Sequence, residues 1–322
     1  MVFISRKRIQ GKDRFYLEKS VRLPNGRVKK FSIYLKGYSP KGSYGQLPHY
    51  KGLLEARVFK ELVEFAARSY KKSSIFNERL LRELEEIKLG YKEVVKKLSK
   101  AQLKDVIDRF TVNFTYESNA IEGNSLTLKD VAVVLHEKKT IKGKDLREIY
   151  ETLNTRESME LVFGNKIKIS EKDIILLHKI LVKNTGVATG YKTLPNFLVG
   201  REIETTPPEL VPQAIKELIS WCEESKKVHP LERAAAFHAS FEKIHPFEDG
   251  NGRVGRLLIN VMLINSGYPP LIVRKTQRLA YLAALEAFDN GHEEKLKRFL
   301  VEKYKKTYEK FFLVYVKYLK SR

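Results

Sequence analysis

The chain has 322 residues, 43% of them hydrophobic, with 61 Lys and Arg against 39 Asp and Glu for a formal net charge of +22. That apolar fraction excludes general disorder, and the length suffices to bury a core in one large domain or two modest ones. No apolar run approaches the ~20 residues needed to span a bilayer, and a single cysteine, Cys222, excludes an internal disulfide and a cysteine-built metal cage.

The opening "MVFISRKRIQGK" lacks a long apolar segment before a cleavage site, so no signal peptide is expected and the cytoplasm is the expected compartment, with no membrane partner. Basic residues crowd the first fifty positions and return after Lys303. Such a field attracts polyanions, nucleic acid among them; a plain solubilising surface is the blander reading.

In chain order, "VFISRKRI", "FYLEKSVRL" and "RVKKFSIYL" alternate in character. The last two flank Pro24-Asn25-Gly26, a strong hairpin signal. A Gly-, Pro- and Ser-rich stretch then reads as a linker ending near residue 51. From there apolar residues recur every three or four positions almost to the end. The exception is residues 186–208, rich in Gly and Pro, which suggest a loop or short hairpin. The expected organisation is a basic β element and linker over 1–50 and a helical extension over 51–100. A main domain over 101–300 and a basic helix over 301–322 follow. The expected class is mainly α.

The densest chemistry lies in "HPFEDGNGRVGR", residues 245–256. "PLERAAAFHASFEKI" predicts a helix that delivers His245 and ends at Pro246. "GRVGRLLINVMLINSG" predicts the next, with a buried stripe of Val254, Leu257, Leu258, Val261 and Met262. The loop between them therefore enters a helix N-terminus, where unpaired N–H groups and the dipole bind anions. Gly250 and Gly252 allow backbone close to a phosphate, and Asn251 adds a donor. Arg253 and Arg256, three apart on the new helix, can hold neighbouring phosphates with forked hydrogen bonds. Asp249 is placed to hold Mg²⁺ against them, and a neutral His245 could take a proton from a hydroxyl. Each part suits transfer of a phosphate-linked group from a polyphosphate nucleotide.

Two other readings stand beside this one. "EDGNGR" could be a turn with helix caps and surface ion pairs. His238, Glu242 and His245 share a helix face as zinc ligands might, though not in the H-E-x-x-H spacing; His238 also reads as a packed histidine supporting the loop. The glycines form neither a P-loop nor a dinucleotide fingerprint.

The segment resembles the signature of the Fic (Fido) family, H-x-F-x-[DE]-G-N-G-R-x-x-R, and matches every fixed position. The likeness extends over about 101–300. It implies a helical bundle with a β-hairpin flap, and transfer of AMP from ATP to a Ser, Thr or Tyr hydroxyl of a target protein. It implies His245 as general base, Phe247 as loop anchor and Asp249 as Mg²⁺ ligand. Gly250, Asn251 and Gly252 would form the anion hole, Arg253 would bind near the β-phosphate and Arg256 the γ-phosphate. "NFLVGREIETT" would contain the flap, at Val199 to Thr206. Tyr281 falls where relatives place an aromatic near the adenine, although a core tyrosine fits equally.

"SNAIEGN" fits the family's inhibitory pattern through Ser118, Glu122 and Gly123. The likeness implies an N-terminal inhibitory helix, about 104–123, whose Glu122 pairs with Arg256 and blocks the γ-phosphate seat. Some relatives use this glutamate to remove AMP instead, and many dimerise, so a homodimer is expected. The rival from another class is a nucleic-acid-binding regulator using the basic N-terminal element.

Overall fold

The structure is a computed structural model and describes residues 2–40, 45–196 and 204–320. These divide into two compact units, the first running to Lys71 with Asn77–Leu89, the second comprising Lys72–Phe76 and the chain from Gly90.

The first unit is a three-stranded antiparallel sheet with a helix on one face. Strands β1 (Val2–Ile9), β2 (Lys12–Arg22) and β3 (Val28–Tyr34) lie in the order β1-β2-β3. Ile4 faces Leu17 and Leu17 faces Ile33, so one face has an apolar centre. Helix α1 (Leu47–Arg68) covers it, packing Leu54 and Val58 on Leu17, Phe31 and Leu35. Pro48 lies in the first turn of α1, where its missing N–H costs nothing. The helix therefore starts inside the stretch that composition marks as a linker. The hairpin turn closes through the Asn25 side chain, whose Oδ1 accepts from Arg27 N–H at 3.1 Å.

The second unit is helical. It takes in the end of α2 (Glu78–Lys97), then α3 (Lys100–Ile121), α4 (Leu128–Ala132), α5 (Leu146–Phe163), α6 (Glu171–Leu181) and α7 (Val211–Glu224). After these come α8 (Pro230–Ile244), α9 (Asn251–Asn265), α10 (Arg278–Asp289), α11 (Glu293–Phe311) and α12 (Leu313–Lys320). Helix α3 begins with a reciprocal capping box between Ser99 and Gln102. The apolar periodicity over 126–138 resolves into the short α4 and one π-helical turn, Val133–Glu137. The basic C-terminal run breaks at Phe312 into α11 and α12.

At the centre lies α9, packed by α3, α5, α6 and α8. The predicted stripe widens into burial on all sides, because Arg253, Arg256 and Asn260 are buried as well. Its N-terminus carries the loop of residues 245–250 and opens toward the C-terminus of α3.

Candidate active site

Helix α8 ends at His245, whose backbone is left-handed (φ 50°, ψ 60°), and its N–H still closes on Phe241 O at 3.0 Å. Pro246 follows and prevents continuation. The imidazole Nδ1 lies 3.3 Å from Glu242 O. A carbonyl can only accept, so Nδ1 carries the proton and the basic lone pair is on Nε2.

The loop between α8 and α9 is clamped from several sides. Phe247 is fully buried, and its ring lies flat on His178, with centroids 3.8 Å apart and planes within 3°. Asn251 binds it twice, accepting from Phe247 N–H at 2.9 Å and donating to Phe247 O at 2.8 Å. Asn251 thus acts inside the loop. His178 Nε2 lies 3.1 Å from Asp249 O, a bond it can make only as donor. Its Nδ1 is buried with no hydrogen-bond partner among the described residues. Burial, reinforced by Arg253, pushes the His178 pKa down to about 4 against the opposing pull of Asp249, so the ring is neutral.

Lys192 completes the support. Its N–H donates to Pro246 O at 2.8 Å, and its buried ammonium donates to Asn196 Oδ1 (2.8 Å) and Thr205 Oγ1 (2.9 Å). Asn196 Nδ2 reaches Phe247 O at 2.9 Å. The expected flap falls largely outside the described residues (199–203); Asn196 and Thr205, on either side of them, are joined through Thr205 Oγ1 to Asn196 O at 2.8 Å.

Gly250 caps α9 in a left-handed conformation. Gly252, in the first turn of the helix, is a position of close approach: a Cβ there would collide with Glu122 Oε1 and lie 3.0 Å from Arg256 Nη1. A carboxylate thus already sits against the helix N-terminus. Glu122 Oε1 accepts from Arg256 Nη2 at 2.6 Å. The same guanidinium donates from Nε to Ser118 Oγ at 3.1 Å and from Nη2 to Ser118 O at 2.8 Å. Burial disfavours the Arg256 charge, but Glu122, Tyr281 and Glu242 together outweigh that and raise its pKa. Gly123 (φ +102°) turns the chain out of α3 just beyond the glutamate. Arg278 Nε holds the end of that helix through Ile121 O at 2.8 Å.

Asp249 Oδ2 pairs with Arg147 Nη2 at 2.5 Å, and Oδ1 accepts from Gly250 N–H at 2.5 Å with Arg253 Nη2 at 3.3 Å. Burial alone would raise the pKa of Asp249; Arg253, the Gly250 N–H and Arg147 together lower it. Glu151 holds Arg253 Nη1 at 3.1 Å and Arg147 Nε at 3.3 Å, and it accepts from Asn124 Nδ2 at 2.9 Å. Arg253 Nε is buried without an acceptor among the described residues.

These features fit the groups that the sequence implies. An anion already occupies the space over Gly252, and Arg253 keeps a donor in reserve for another. Asp249 remains 43% exposed, enough to take a cation. Among the described residues no group of three or more His, Cys, Asp or Glu side chains could hold a metal by itself. A cation at Asp249 would therefore share phosphate and water ligands, the usual habit of Mg²⁺. His238, Glu242 and His245 form no such group; His238 Nε2 lies 2.5 Å from Tyr281 Oη in the core. Tyr281 is 1% exposed and stacks on His238. It stands behind the site as a core tyrosine.

The sequence singled out residues 245–256 and Glu122. It did not single out Lys192, Glu151, Arg147 or His178. Only His178 left a local trace, as a polar residue on the apolar stripe of Ile174, Leu177 and Leu181.

A helix N-terminus holding a carboxylate, beside two buried arginines and an imidazole, is an arrangement suited to phosphate groups. Residues 168–263 match the Fic/DOC family. It is 33% identical over 186 residues to "Protein adenylyltransferase fic-1" of Caenorhabditis elegans, covering 55% of this chain and 36% of that protein. To "Protein adenylyltransferase Fic" of Drosophila melanogaster it is 34% identical over 198 residues, 60% of this chain and 40% of that one. The chain thus spans less than half the length of these curated relatives. A crystal structure of a Fic domain containing signaling protein from Bacteroides thetaiotaomicron superposes with a TM-score of 0.65 at 25% identity, covering 74% of this chain and 97% of the other. Fic-1 from C. elegans gives a TM-score of 0.63 at 23% identity, over 84% and 87%, and shows the same fold. No helix among the described residues is long and apolar enough to cross a membrane.

Proposed function

We propose that the chain is a Fic-type protein adenylyltransferase, moving AMP from ATP to a hydroxyl side chain of a target protein, and that Glu122 restrains it. The observation that carries this reading is the Ser118–Glu122–Arg256 cluster lying directly over Gly252, within a complete H-x-F-x-[DE]-G-N-G-R-x-x-R loop.

The target hydroxyl attacks the α-phosphorus and passes its proton to His245 Nε2. The new O–P bond forms as the bond to pyrophosphate breaks, with both oxygens in line. The N–H groups at the start of α9 and the Arg253 guanidinium receive the negative charge gathering on the phosphates. Asp249 would hold Mg²⁺, which when bound neutralises charge between neighbouring phosphates. The Asn251–Phe247–His178 stack keeps the loop rigid, so that His245 and the cradle stay in register.

Restraint follows from exclusion. Glu122 holds the cradle and the Arg256 head that the terminal phosphate needs, and two anions cannot share that space. The pair is reversible because the Glu122 side chain is 40% exposed and so partly screened. The cytoplasm remains the compartment we propose, on the grounds of a lone, buried cysteine.

The test is incubation of wild type and Glu122→Gly with α-labelled ATP, Mg²⁺ and lysate. Self- and target labelling should rise roughly tenfold or more in the variant, a gain on the scale of ordinary site coupling. An unchanged rate removes the case for restraint. Absence of label in both proteins removes the case for transfer.

A further inference from the structure

The N-terminal sheet has a second face, and the activity proposed above makes no use of it. The strand register puts Phe3, Tyr16 and Tyr34 there, opposite to the face covered by α1. Phe3 and Tyr34 are each 45% exposed, although rings of this size are normally turned inward. The rings of Tyr16 and Tyr34 lie 5.5 Å apart, and cations are interleaved with the aromatics. Lys7 sits 4.5 Å from the Tyr16 ring, Arg14 5.9 Å from Tyr34 and Lys30 5.7 Å from Phe3.

Lys12 and Arg22 share that face by register, making five cations. The one carboxylate among them is Glu18, whose side chain is fully buried beneath Lys7 (3.1 Å) and Lys30 (2.5 Å). Burial alone would raise its pKa, yet the Lys30 and Lys7 ammonium groups carry it down to about 2. Glu18 thus anchors two lysines without showing negative charge to solvent. Elsewhere in the unit lysines meet acids of α1: Lys19 pairs with Glu55 and Lys29 with Glu61. No carboxylate pairs with Lys12, Arg14 or Arg22 among the described residues.

We propose that this outer face binds single-stranded nucleic acid, with bases stacked on Phe3, Tyr16 and Tyr34 and phosphates held by the surrounding cations. Charge complementarity selects a polyanion. The exposed rings then select among polyanions, because bases have faces to stack and an acidic protein surface does not. A duplex hides those faces, so a single strand is the better occupant. The cations that lie over these rings, about half exposed at Lys7 and Lys30, could swing to the backbone that joins successive bases.

The test is fluorescence anisotropy of the full chain with labelled oligo(dT) and oligo(U), the matching duplex, and poly-glutamate as competitor. Either single strand should bind more tightly than the duplex, with affinity falling steeply as salt rises. Tyr34→Ala leaves the charge unchanged, so a loss of roughly fivefold or more would report stacking, and Tyr34→Trp should restore it. Arg14→Glu should weaken binding and flatten the salt dependence. His245→Ala should leave oligonucleotide affinity as in wild type, which keeps this outcome separate from that of the transferase reading. The proposal fails if no strand binds. It fails equally if folded Tyr34→Ala, verified by its melting curve, binds as wild type does, or if poly-glutamate competes as well as oligonucleotide.

Discussion

Arg253 and Arg256 are 2% and 3% exposed, whereas Lys7 and Lys30 keep about half of each side chain in water. Both regions collect positive charge, and they manage it differently. A guanidinium inside the second unit must be matched at short range, and each of the two has a named acid, Glu151 or Glu122. Under the proposed restraint such a site would answer in a stepwise manner, Glu122 giving way as a phosphate arrives. The sheet's lysines are already hydrated, so their attraction is graded and screened by salt within about 10 Å. Buried charge suits a switch; exposed charge suits adhesion.

The strongest way to break this contrast is His245→Ala. Loss of a general base should reduce AMP transfer by about 10²- to 10⁴-fold in single-turnover labelling, while equilibrium dialysis shows ATP still bound. Retained transfer would refute the base assignment. A smaller effect comes from His178. Its folded pKa of about 4 lies below the unfolded value of 6.5, so the unfolded chain binds a proton first as pH falls. The stabilising term is complete above the unfolded value and drains away through the window between the two. Urea denaturation should lose about 2 kcal/mol from this group between pH 6.5 and pH 5. His178→Gln keeps a donor toward Asp249 O and should abolish that slope; an unaltered slope would place the titration elsewhere. The smallest effect belongs to Arg147, 47% exposed and paired with Asp249. Arg147→Ala should tighten Mn²⁺ binding by a factor of about two to five, measured by spin resonance in the presence of nucleotide, since an exposed pair is worth up to about 1 kcal/mol. Weaker binding would mean that Arg147 helps to hold the cation's phosphate ligands instead.

Local patterns made much of this architecture legible. Alternation around Asn25-Gly26 located the sheet, and a twelve-residue motif located the cradle. Pro48 is a local signal too, but the surrounding glycines and serines masked the start of α1. Long-range partners left no such mark. Glu151 lies 102 positions from Arg253, and Lys192 reaches Ile244 O, 52 positions away, only because the chain folds back on itself. The sheet's two faces separate only once register is known, because shifting β2 by one residue would exchange Tyr16 for Leu17.

His245 occupies a backbone conformation that suits glycine best, and keeping a side chain there costs roughly 1 kcal/mol. Selection for thermal endurance alone would favour an unadorned residue at that corner. Under the proposed role of His245, that corner is where the molecule gives up durability to hold an imidazole.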